Sequence, residues 1–206
     1  MSAVIDQQDV KREKILDAAY NRFLHYGYSK TTMNEIAGDL CISKALLYYY
    51  FPDKSQLYVA VMQKVAADYI KALEERVNTF HDLREAFVFQ IVSRHEFIVN
   101  NYNFFDFFRI NEQSLPDSVW AIVDKVHQTE MDLLVSAIKT ETEKGKIKPV
   151  ANPEEIVCLL LDALHGVRAS SSSHKKVIFH QKENLGEVHK KRLILADIFV
   201  KGLMYC

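Results

Sequence analysis

The stretch TMNEIAGDLCISKALLYYYFPDK, Thr32–Lys54, decides how this chain is read. Thr32 can cap a helix through its hydroxyl, and Glu35 three residues on closes a reciprocal capping box. Met33, Ile36, Ala37 and Leu40 follow at helical spacing and give that helix one apolar face. Cys41-Ile42 makes a turn, and Ser43 caps a second helix. On it, Leu47 and Phe51 fall on one side and Ala45 and Tyr49 on the other. Lys44 and Tyr48 flank the outward face on one edge, Leu46 and Tyr50 on the other. Pro52 stops this helix, Asp53 caps a third, and Lys54 stands at its start. A face of alanine, lysine and three tyrosines is a poor solvated surface. It suits a DNA groove, where hydroxyls and an ammonium reach phosphates and a small residue lets the helix approach base edges.

This order of residues resembles the helix-turn-helix of the TetR family of one-component transcriptional regulators. The resemblance rests on Thr32, Ile36-Ala37, Leu40-Cys41, Ile42-Ser43, Leu47-Tyr48-Tyr49-Tyr50-Phe51 and Lys54, with Gly27-Tyr28 and the helix before them also in register. It covers about the first 60 of 206 residues. Leu40 stands where the family usually has Ala, and Cys41 where it usually has Gly. The resemblance implies an all-α fold, with an N-terminal three-helix domain carrying the helix-turn-helix at 1–54. A larger helical ligand-binding and dimerisation domain is expected at 55–206. Tyr48, Tyr49, Lys44, Ala45 and Ser43 are the expected contacts with a double-stranded DNA operator, with Tyr50, Thr31, Thr32 and Lys54 at flanking phosphates. A single helix-turn-helix buries too little surface for specific binding, so a two-fold homodimer on a palindromic site is expected. By resemblance its interface is formed by helices near 153–169 and 188–205, and the protein is a repressor that a small-molecule effector releases. The alternative is an activator, or a ligand-independent regulator with a filled core.

Composition narrows the remaining classes. With 49% hydrophobic residues, six Gly and four Pro, the chain has material for a core and no signature of disorder. The formal net charge is −1, and residues 1–60 carry seven Lys/Arg and seven Asp/Glu. DNA binding then rests on where charges sit rather than on their sum, which speaks against an especially salt-resistant complex. The N-terminus MSAVIDQQDV lacks a basic stretch followed by an apolar one, and no apolar run approaches the ~20 residues of a membrane span. The expected location is the cytoplasm, with no membrane partner. Cys41, Cys158 and Cys206 are far apart and not in a metal spacing, so incidental reduced thiols are expected, with a redox role for Cys41 in the turn as the alternative. No GxSxG, phosphate loop or dinucleotide glycine pattern is present, and neither an enzyme nor a cofactor is expected.

The rest of the chain reads as helices. Lys11–Tyr26 is amphipathic and ends at Gly27; a long helix from Asp53 to about Asn78 leaves the DNA-reading unit. Leu83–Tyr102 carries the stripe Phe87, Ile91, His95, Ile98, Tyr102, and a helix from Ser118 to Lys144 carries Trp120, Val123, His127, Met131, Leu134, Ile138. Helices from Pro153 to about Ala169 and from Val188 to Tyr205 follow, joined by a loop containing Ser170–Ser173, His174, Lys175 and Lys176. Between the first two stripes, Tyr102, Phe104, Phe105, Phe107 and Phe108 crowd into seven residues. Phe87, His95, Tyr102, Phe105, Phe108, Trp120, His127 and Met131 are the candidate walls of a largely apolar ligand pocket, against plain core packing. Arg109 and Arg168 are candidate partners for an anionic group. His95, His127 and His165 lie on apolar stripes without metal-ligand spacing, so no metal is expected.

Overall fold

The computed structural model describes residues 7–110, 115–170 and 185–205. The helices among them are α1 (Gln7–Lys30), α2 (Met33–Asp39), α3 (Lys44–Tyr50), α4 (Lys54–Glu74), α5 (Leu83–Asn100), α6 (Asp106–Ile110), α7 (Asp117–Glu143), α8 (Pro153–Ser170) and α9 (Leu185–Leu203). The described residues contain no strand, only one isolated antiparallel bridge between Ile147 and Met204. The expected loop after Ser170, Cys206, and the side chains of Arg109 and Arg168 lie outside the described residues. No helix among the described residues is long and apolar enough to cross a membrane.

The chain packs as two compact units: residues 1–67 with 101–122, and 68–100 with 123–206. In the first, α1 buries Ile15, Leu16, Ala19 and Phe23, α2 buries Ile36 and Ala37, and α3 contributes Leu47 with Phe51 behind it. Tyr58 of α4 is fully buried between Phe104 and Phe107, its ring stacked at 4.6 Å and 4.3 Å, and its hydroxyl donates to the Phe104 carbonyl at 2.8 Å. Those contacts place Tyr102, Phe105 and Phe108 with the DNA-reading helices, although the sequence reading grouped the aromatic segment with the domain from residue 55 onward.

Gly27 breaks α1 near its end with φ 79 and ψ 169. A Cβ at that position would collide with the Asp106 carboxylate, so both the backbone angle and the close approach demand glycine. Asp106 uses the space to accept from the Tyr28 N–H at 2.8 Å. The short helix α6 that carries Asp106 is too brief to leave a periodic pattern in the sequence.

In the second unit, the interior faces of α5, α7, α8 and α9 supply Phe87, Ile91, Leu133, Leu134, Ile138, Leu160, Leu161, Leu164, Ala196 and Val200. On the first half of α7 the buried face is rotated from the expected one, while Leu134 and Ile138 of the expected stripe are fully buried. Val119, Ile122, Val126, Glu130, Leu133 and Ala137 are all buried, at the same spacing as the expected stripe but one residue earlier, while Trp120 is 49% exposed. The apolar pattern pointed elsewhere because the true stripe has Glu130 at its middle, a residue that binary patterning assigns to water.

Candidate nucleic-acid interface and polar cavity

The helix-turn-helix forms from its own local chemistry. The Thr32 backbone N–H donates to Glu35 Oε2 at 2.8 Å while the Thr32 hydroxyl accepts from the Glu35 N–H, completing the capping box. At the other end of α2, the Cys41 N–H donates to the Gly38 carbonyl and the Ile42 N–H to the Ala37 carbonyl, each at 3.0 Å. This is the Schellman closure, and Cys41 fills its left-handed position with φ 52. Ser43 Oγ then accepts from the Leu46 N–H at 3.2 Å and starts α3.

With Leu47 buried beneath it, α3 turns Lys44, Ala45, Tyr48 and Tyr49 outward. Tyr49 is 69% exposed and Tyr48 46%, an uncommon outlay of aromatic surface for a seven-residue helix. The Tyr49 hydroxyl accepts from Gln8 Nε2 at 3.2 Å, and its ring meets Tyr50 edge-on at 5.5 Å. Lys44 is exposed and has no ion pair among the described residues. The two acids of α2 are spoken for: Arg22 grips Asp39 through two hydrogen bonds of 2.6 and 2.7 Å and lies 3.5 Å from Glu35. The hydrogen bond from Arg22 lowers the Asp39 pKa, and the bond from the Thr32 hydroxyl lowers that of Glu35.

Two of the expected phosphate contacts have other work. Thr31 is fully buried, and its hydroxyl donates to the Gly27 carbonyl at 2.8 Å. Lys54 Nζ donates to the Tyr28 carbonyl at 2.9 Å and the Thr31 carbonyl at 3.0 Å, and sits 4.1 Å from the centre of the Tyr28 ring. Burial pulls its pKa down, with Asp106 and Glu35 pulling back. Lys54 thus binds the end of α1 to the start of α4, which spacing alone cannot distinguish from a phosphate contact. Thr32, Ser43, Lys44, Ala45, Tyr48 and Tyr49 are exposed and Tyr50 is half-buried.

The eight candidate pocket residues divide between the two units. Tyr102, Phe105, Phe108 and Trp120 belong to the first; Phe87, His95, His127 and Met131 belong to the second. The second unit holds a cavity of about 10 Å³, space for one water-sized group, and none of the eight lines it. Its polar walls are Gln90, Arg94, Glu130, His165 and Arg192; Ile91, Leu161 and Leu164 complete it. Glu130 Oε1 accepts from Arg94 Nη1 at 2.9 Å and from the Tyr69 hydroxyl at 2.8 Å. Arg192 Nε donates to the Leu164 carbonyl at 3.2 Å. His127 comes near, with its ring 6.1 Å from that of His165, whereas His95 stacks on His189 at 4.2 Å. The described residues contain no group of three metal-ligating side chains.

Comparison with known proteins agrees with the local geometry. Residues 15–61 match the family of bacterial regulatory proteins, tetR family. The transcriptional activator FasR of Mycolicibacterium smegmatis is 33% identical over 78 residues, 38% of this chain and 36% of that protein. The transcriptional regulator RutR of Escherichia coli is 40% identical over 55 residues, 27% of this chain and 26% of its own length. The chain therefore aligns with only about a third of these curated relatives' length. A solved transcriptional regulator from Cytophaga hutchinsonii is similar throughout, with a TM-score of 0.82 at 27% identity, covering 96% of this chain and all of that one. On the capping box, the Schellman turn, the outward tyrosines and these likenesses together, residues 15–61 form a DNA-binding helix-turn-helix of the tetR family of bacterial regulatory proteins, and the fold of the chain is that of the solved transcriptional regulator.

Proposed function

We propose that the protein is a homodimeric repressor that binds a palindromic operator in the cytoplasm and leaves it when a small, largely apolar or aromatic effector occupies the second unit. The observation that carries the DNA reading is the outward face of α3, where Tyr48 and Tyr49 remain exposed on a helix whose opposite side is buried. In this reading Lys44, Ala45, Tyr48 and Tyr49 meet the major groove, with Ser43, Thr32 and Tyr50 beside them, and Thr31 and Lys54 position the motif. Dimerisation is supported by Leu159 of α8 and Ile194 and Ile198 of α9, which are 58%, 62% and 60% exposed. Large aliphatic side chains left in water on two neighbouring helices fit the centre of an obligate interface. Leu161, on the same helix as Leu159, is 2% exposed and packs within its own chain.

Helices α4 and α7 each run through both units. In the proposed mechanism an effector that favours one arrangement of these helices changes the separation of the two recognition helices in the dimer. The loss of operator affinity is limited by its differential affinity for the two states. The similarity to FasR, an activator, favours one second reading: the same dimer bound where it recruits rather than blocks transcription. Selection of bound fragments from a random DNA pool tests the proposal. A two-fold symmetric consensus with half-sites about one helical turn apart supports it; an unordered pool after repeated selection contradicts it.

A further inference from the structure

The cavity of the second unit is electrically unbalanced. Arg94 and Arg192 bring two guanidiniums to its wall, and among the described residues Glu130 is the only carboxylate there. Glu130 is 2% exposed and already committed to Arg94 and the Tyr69 hydroxyl. Arg192 is 7% exposed, yet its one hydrogen bond goes to a carbonyl and no carboxylate lies within ion-pair distance of it among the described residues. Gln90 is 4% exposed and its carboxamide has no hydrogen-bond partner among the described residues. Arg192 and Gln90 line the cavity, so donors that find no protein partner are left to whatever occupies it.

We propose that the Arg94–Arg192 pair and Gln90 form the binding site for the carboxylate of a small organic acid, the polar end of the effector. This assignment rests on the reading of the second unit as the effector-binding unit. The net charge of the walls is one positive, with Glu130 offsetting Arg94, and that calls for a monoanion. The cavity of about 10 Å³ takes one water-sized group, so it seats one oxygen of a head group, and a tetrahedral dianion is over-charged for it. A guanidinium offers parallel N–H donors that match a carboxylate, and the Gln90 amide supplies a further donor. Burial, then the charge of Arg94, pushes the Arg192 pKa down to about 10, so the site penalises its own unpaired charge until an anion arrives.

The test is calorimetric titration of the full-length protein with acetate and benzoate, each paired with its neutral isostere, acetamide or benzamide. At least one carboxylate is expected to bind about tenfold or more tightly than its amide, and Arg192→Met to remove that preference. Glu130→Gln leaves the walls with a second uncompensated positive charge, so it is expected to strengthen carboxylate binding. Should Arg192→Met fail to fold, Gln90→Leu serves in its place and is expected to weaken carboxylate binding several-fold while leaving the amide unaffected. Equal binding of each carboxylate and its amide, or a preference unchanged in Arg192→Met and Gln90→Leu, overturns the site. Retention of DNA by the same preparation is scored separately. Anion discrimination without DNA binding leaves this site standing and removes the regulator reading; DNA binding without anion discrimination does the reverse.

Discussion

Lys54→Met separates two roles that the sequence left superposed. The substitution keeps the hydrocarbon stem and removes the ammonium, together with its bonds to the Tyr28 and Thr31 carbonyls and its seat over the Tyr28 ring. Hydrogen bonds involving a charged group contribute about 1.5 kcal/mol each at the lower end, which suits a half-exposed side chain. The cation–π contact adds about 0.5–1 kcal/mol. Against this, a cation at the first residue of α4 opposes the helix dipole, and its removal returns about 0.3–1 kcal/mol. The net loss is roughly 2.5–3.7 kcal/mol, or a Tm lower by roughly 5–15 °C for a chain of this size.

Thermal unfolding measures that term directly. Titration of a non-specific duplex at several salt concentrations measures the other. If Lys54 is an internal tie, the folded variant binds DNA with the wild-type salt slope. A phosphate contact contributes about 0.9 to that slope. An unchanged Tm with a slope reduced by one contact would refute the reasoning and restore Lys54 to the DNA surface.

Cys41→Gly should stabilise the protein by roughly 0.5–1 kcal/mol, because relief of a non-glycine φ of 52 exceeds the added flexibility of the unfolded chain; a lower urea midpoint contradicts this. The His95 and His189 pKa values are lowered from 6.5, chiefly by burial, so as pH falls the unfolded chain takes up these protons first. Their contribution is constant above about pH 6.5 and stability declines below it, until the folded-state histidines protonate in turn. A urea midpoint that stays level or rises between about pH 7.5 and 5.5 opposes that assignment. Ile198→Glu, at an exposed position of α9, should halve the mass seen by light scattering and weaken operator binding at least about tenfold, while circular dichroism keeps its helical signal. A folded Ile198→Glu dimer with wild-type operator affinity places the interface elsewhere.

What was legible in the sequence follows the range of the interactions. The capping box at Thr32 and Glu35, the cap at Ser43 and the buried side of α3 at Leu47 and Phe51 depend on neighbours within one or two turns, and all stand as read. Gly27 was legible as a helix stop, but its close approach to Asp106 was not, because that contact spans 79 residues of chain. Lys54 matches the family pattern and Thr31 adjoins it at Thr32, yet the polar atoms of both turn inward, and spacing carries no sign of direction. On α7 the apolar pattern chose Trp120 and His127 over Val119 and Val126, since the real stripe passes through buried Glu130. That residue is tolerable inside only because Arg94 of α5 and Tyr69 of α4 satisfy it, and partners on other helices leave no local mark. The polar cavity was missed for the same reason: its charges come from α5, α7, α8 and α9, and none of them carries a motif.

The central claim is that the outward face of α3 reads DNA, and operator affinity of Tyr49→Ala tests it most directly. Tyr49 is 69% exposed, and beyond its contacts with Gln8 and Tyr50 it supports little of the fold, so the variant should unfold at nearly the wild-type temperature. Loss of a base-edge contact is worth about 1–3 kcal/mol, so a fluorescence titration with the selected operator should give a Kd roughly 5- to 150-fold weaker, and non-specific DNA should be bound almost as before. A folded Tyr49→Ala protein with the wild-type Kd for operator would contradict the account.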